Sequence, residues 1–182
     1  MLFAAALLLA GATDGTALLE AFAAPCAHVE DFEKTKAEAA KGGWEEIAED
    51  ADPRLWHLEK LGRDAVGDDG TMFGARYRHT VGVRQVFLVV SRYEDKSGFW
   101  GNGCRVYDFD APGAIDEAVV ERWIGKPSTS GLMPVAGGTR FLWEPWVDGR
   151  TFELNYMPKD EAVAKQLGLS GVILVSQAIG GF

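Results

Sequence analysis

Histidine and cysteine are scarce in this chain. Three histidines (His28, His57 and His79) and two cysteines (Cys26 and Cys104) serve 182 residues. Neither CxxC nor HExxH occurs, so no metal-ligand spacing is present. There is also no phosphate loop, no dinucleotide fingerprint and no GxSxG elbow. These absences leave no catalytic residue to assign and imply no metal and no cofactor. Basic runs are missing too. Lys and Arg total 18 against 27 Asp and Glu, a formal net charge of −9. Nucleic acids and anionic membrane surfaces reward clustered cations, so neither is an expected partner.

What is present reads as globular. Hydrophobic residues make up 47% and charged residues 25%, a balance that supports a packed core. The chain opens MLFAAALLLAGATDGTALLEAFAAP, with no charged side chain before Asp14. The apolar run Leu2 to Ala10 is too short for a bilayer, which needs about 20 residues. It suits the core of a secretory signal peptide, although no Lys or Arg precedes it. Gly15 and Ala17, or Ala21 and Ala23, offer small residues for cleavage. The chain therefore divides into a signal peptide, 1–17, and a single domain, 18–182. A periplasmic or secreted location follows, without stable membrane insertion.

Export gives the cysteines a simple use, because disulfides persist in oxidising compartments. Cys26 and Cys104 are 78 positions apart, and a bridge across so long a loop stabilises by about 4 kcal/mol in the chain-entropy model. Three alternatives stay open at this level, one of them a pair of buried free thiols. A catalytic thiol needs a nearby base. A metal set would draw on Cys26, His28, Asp31 and Cys104.

Periodicity gives the fold class. The stretch 26–41 is rich in Ala, Glu and Lys and predicts a helix, with Pro25 and Cys26 in its first turn. DPRLWHLEKLG predicts a short helix capped by Asp52, stopped at Gly62 and buried along Leu55, Leu58 and Leu61. In 71–81, Phe73, Ala75, Tyr77, His79 and Val81 alternate with Arg76 and Arg78. Strands at 84–93 and 99–110 follow, the latter setting Trp100, Cys104 and Val106 against Arg105, Tyr107 and Phe109. Asp110 predicts the cap of a helix running to Gly125. A hairpin over 139–158 turns at Asp148-Gly149. A short helix at 159–169 and a buried strand at 172–178 close the chain. The expectation is α+β: a mainly antiparallel sheet of about six strands packed by two main helices, with a loose α-β-β-β likeness between the halves.

Six tryptophans are the unusual feature. Trp143 and Trp146 are three apart, so on one strand they should face opposite ways unless Pro145 bulges it. An exposed Trp marks a binding surface more often than a catalytic one. Trp100, Trp143, Trp146 and Tyr156 are therefore candidate binding residues, with His79, Arg76 and Arg78 beside them. Arg105 can join those arginines in a small basic spot able to receive a carboxylate. The function expected is a non-enzymatic domain that binds a protein, peptide or small ligand through an aromatic sheet face. One alternative is a small hydrolase using Cys104 or His79 with a nearby acid. Another is a periplasmic inhibitor or stress protein that presents the loop 126–138.

Two stretches, CAHVEDFEKTKAEAAKGGW and GCRVYDFD, together resemble small uncharacterised secreted proteins of alphaproteobacteria. The resemblance covers about a third of the chain. It implies export and a Cys26–Cys104 pair, and it implies no activity.

Overall fold

The structure, a computed structural model, describes residues 15–135 and 137–181. The apolar run at 2–10, and with it most of the expected leader, lies outside the described residues. The helices are α1 (Thr16–Cys26), α2 (Phe32–Lys41), α3 (Pro53–Val66), α4 (Glu117–Ile124) and α5 (Ala162–Leu167). The strands are β1 (Glu45–Ile47), β2 (Gly70–Val81), β3 (Arg84–Asp95), β4 (Trp100–Asp108), β5 (Met133–Val135), β6 (Gly138–Trp143), β7 (Thr151–Met157) and β8 (Gly171–Gly180). The chain is α+β. Antiparallel pairings join the strands into one sheet in the order β1-β2-β3-β4-β8-β7-β6-β5. Each half of the chain is a four-stranded meander, and the two meet where β4 pairs β8. The halves share this strand path but not helix placement: α3 interrupts the first after β1, α5 the second before β8. The sheet has more strands than alternation reveals, because β1 and β5 are three-residue edge strands. Such short edges offer little for another chain to pair with.

One sheet face carries Val86, Leu88 and Val90 of β3, Cys104 and Val106 of β4, Phe152 and Leu154 of β7 and Leu174 of β8. Helices α1, α2 and α4 cover it with Leu18, Leu19, Phe22, Ala39 and Val120. At its centre Cys26, the last residue of α1, is bonded to Cys104 in β4. Their α-carbons are 5.4 Å apart, inside the normal disulfide range. Both cysteines are fully buried and neither is free.

The helix boundaries correct the sequence expectation in three places. The helix expected over 26–41 is two helices. Asp31 caps α2 by accepting from the Lys34 amide at 3.0 Å. The Thr35 hydroxyl donates to the His28 carbonyl at 2.7 Å and locks the turn between them. Pro25 and Cys26 thus end α1 rather than open α2. In the second place, Asp116 caps α4, accepting from the Ala118 amide at 2.8 Å. Asp110 instead pairs with Lys159 at 3.1 Å and Arg54 at 3.5 Å. Third, α3 begins on Asp52 as expected but runs past Gly62 to Val66. Gly62 lies where α3 crosses β2, and a Cβ there would sit 3.4 Å from the Met72 sulfur. It serves close packing, not termination.

Tyr77 of β2 is buried on the covered face. That burial, aided by the charges of Glu46 and Glu33, pushes its phenol up to about 12. Unfolded tyrosine ionises near 10, so the folded value is raised. The stability this contributes is complete below pH ~10 and is lost as pH climbs toward the folded value. Tyr77→Phe is expected to raise the alkaline unfolding midpoint, followed by circular dichroism across that window. An unmoved midpoint removes Tyr77 from the alkaline response.

Candidate ligand groove

The other face of the sheet is only partly covered. Leu55 of α3 packs on Phe87, Val89 and Phe109. Val163 and Leu167 of α5 stand over Asn155 of β7 and Ile173 of β8. Between the two helices lie Ser91 of β3, Gly101, Gly103, Arg105 and Tyr107 of β4, and Val175 of β8. Register puts them on one face: Ser91 is opposite Gly103, and Arg105 lies between Val89 and Val175. Two hollows result. One, against α3, has a volume of about 390 Å³ and walls of Leu55, Leu58, Met72 and Val89. The other, against α5, has about 300 Å³. Arg105 and Tyr107 line both, so the hollows form one groove with Arg105 at its middle.

The glycines make the floor. A Cβ on Gly103 would collide with the Arg105 guanidinium, which lies across that position. A Cβ on Gly101 would meet nothing closer than Ile179 Cγ2 at 3.7 Å. Strand glycines of this kind mark close approach by another group.

Charge on this face is mostly neutralised in pairs. Arg76 Nε donates to Glu59 Oε1 at 2.7 Å, and Nη2 reaches Oε2 as well. Arg78 grips Glu45 through two bonds of 2.8 and 2.6 Å. Arg140 donates to Glu153 at 2.6 Å. Arg105 has a different partner, the neutral Ser91 hydroxyl, which accepts from Nη1 at 3.1 Å. Among the described residues no carboxylate lies within ion-pair reach of Arg105. Arg122 shares that condition but stands exposed on α4. Burial pushes the Tyr107 phenol up, with Arg105 opposing and Glu59 adding to the shift. Tyr107 therefore faces the groove as a neutral hydroxyl at ordinary pH.

Of the residues nominated from sequence, Arg105 stands in the groove and the others lie at its margin or elsewhere. Trp143 is fully buried, and its indole donates to the Lys126 carbonyl at 3.3 Å. Strand β6 stops at Trp143, and the chain turns back through the Trp146 amide to the Arg150 carbonyl. Trp146 therefore joins Trp143 on one side, packed on Phe22, Trp123 and Phe152 at 5.4, 5.8 and 5.6 Å between ring centres. Trp143 and Trp146 thus belong to the covered face. Trp100 is half-buried at the start of β4, with Arg92 over its ring at 5.3 Å. His79 meets the Gly43 carbonyl at 3.1 Å through Nδ1 and packs on Trp44. Tyr156 borders the α5 hollow but packs its side chain with the covered-face core, and Arg76 holds the Glu59 that walls the α3 hollow. Ser91, Gly101, Gly103 and Tyr107 were not nominated. The signal was the parity of Gly101, Gly103 and Arg105 on one strand.

Cys104 is bonded and buried, so it offers no thiolate. His79 contacts a carbonyl, not a carboxylate. In the loop 126–138, Thr129 donates from its amide to the Leu142 carbonyl at 2.7 Å, and β5 pairs β6. That segment is strapped to the sheet. Among the described residues no group of three or more His, Cys, Asp and Glu is placed to hold a metal ion, and no helix is long and apolar enough to cross a membrane. No protein-family model, curated protein or solved structure matches the chain.

Proposed function

We propose that the protein is an exported, non-enzymatic binding domain, periplasmic or secreted, that holds a small ligand in the groove of its uncovered sheet face. One observation carries the reading: an apolar trough of ligand size has at its middle a guanidinium with no acid beside it. Pockets for small molecules pair apolar walls with a few fixed polar groups in this way. Export is supported by the buried disulfide, a bond that persists in oxidising compartments, and by the leader-like start of the sequence.

Filling the groove tests the reading. Gly101 has ordinary strand backbone, and a Cβ there would make only an ordinary contact with Ile179 Cγ2 at 3.7 Å, so Gly101→Phe is compatible with the fold. The variant is expected to melt within a few degrees of the parent and to bind the apolar anionic dye anilinonaphthalene sulfonate roughly tenfold more weakly, a loss of about 1.4 kcal/mol. Undiminished dye binding in a folded Gly101→Phe protein overturns the assignment of the groove.

A further inference from the structure

We infer that the groove takes an amphiphilic monocarboxylate, its carboxylate on Arg105 and its apolar body along the α5 hollow. The inference rests on the groove being the binding site and adds the class of ligand.

Three observations narrow the class. The first is charge. Arginine brings five N–H donors, and the Ser91 hydroxyl takes one of them. The carboxylates of Glu59, Glu45 and Glu153 on this face are already matched by Arg76, Arg78 and Arg140. A cationic ligand would meet Arg105 unscreened. A neutral ligand would cover the guanidinium without compensating its lost water. The second is valence. Arg105 is alone, whereas phosphate recognition draws on clusters of cations. One guanidinium matches one planar carboxylate, which accepts two parallel bonds from it. The neutral hydroxyl of Tyr107, which lines the same two hollows, is a further donor. The third is the wall. Val163, Leu167, Leu169, Ile173 and Val175 make the α5 hollow apolar. Its volume of about 300 Å³ stands at the low end of the 300–1,000 Å³ typical of ligand pockets. A medium-length alkyl chain or a single ring system suits it, and a long polymer does not.

Calorimetric titration with decanoate, decanol and decyltrimethylammonium separates the possibilities. Decanoate is expected to bind the parent protein most tightly and the ammonium compound most weakly. Arg105→Met, similar in length but uncharged, is expected to weaken decanoate by roughly 10- to 100-fold, the value of a charge-assisted hydrogen bond, and to leave decanol within about twofold. Arg105→Lys restores part of the loss. Val163→Trp, which fills the α5 hollow, weakens decanoate and decanol together. Circular dichroism confirms that each variant is folded. Equal affinity for decanoate and decanol, insensitive to Arg105→Met but reduced by Val163→Trp, overturns the carboxylate while the groove stands. Binding of all three compounds that ignores Val163→Trp, or no binding at all, overturns the groove and the ligand class together.

Discussion

Reduction of the Cys26–Cys104 bond is expected to lower the free energy of unfolding by about 4 kcal/mol. The bond closes a loop of 78 residues, and a cross-link over that span removes much of the freedom of the unfolded chain. It also joins the last residue of α1 to the middle of β4, so it clamps the N-terminal helix to the sheet centre. Both cysteines are sealed from solvent. A reductant therefore reaches them only through opening of the fold, and reduction under native conditions should follow the opening equilibrium. Urea unfolding of oxidised and reduced protein measures the effect. With a slope of about 1–3 kcal/mol per molar urea, the midpoint should fall by more than about 1 M. Coincident curves would show that α1 stays docked without the bond.

Phe22→Ala is expected to destabilise the oxidised protein by about 3–5 kcal/mol, the usual cost of emptying an aromatic core site. Phe22 is fully buried, and its ring stands 5.2 Å from Phe152 and 5.4 Å from Trp146. Leu18 and Leu19 share its burial. A chain beginning at Ala24 lacks all three and is expected not to fold. Removal of the chain through Ala21 or Ala23 would take Leu18 and Leu19 out of this core. The intact mass of the folded protein recovered from cells checks the point. A first residue beyond Leu19 in a folded sample would mean that the start of α1 is dispensable.

The long strands were legible because alternation is local. Ala75, Tyr77 and Val81 face the core and Arg76 and Arg78 face away, as their parity requires. The Asp52 cap was legible for the same reason, since a side chain reaching the Arg54 and Leu55 amides needs only its neighbours. The division between α1 and α2 was not. Good helix formers flank the break, and what decides it is one bond from Thr35 back to His28. The orientation of Trp146 was hidden because β6 ends before it and the turn returns it to Phe22. The groove was least visible. Arg76, Arg78 and Arg105 look alike in sequence, yet Glu59 and Glu45 come from 17 and 33 residues away to neutralise the first two. Which arginine stays without an acid is decided by tertiary structure alone.

The strand order has a consequence for the timing of assembly. The last of the described strands in chain order, β8, occupies the middle of the sheet between β4 and β7. Residues 16–108 hold both cysteines and the complete first meander, so the covalent bond can form before the C-terminal half exists. Until β8 arrives, β4 and β7 each present a bare edge, and an unpaired edge recruits other strands. The final ten-residue strand is thus the keystone. A chain cut short before Gly171 would be a cross-linked but sticky fragment, and the addition of β8 would shut both edges in one step.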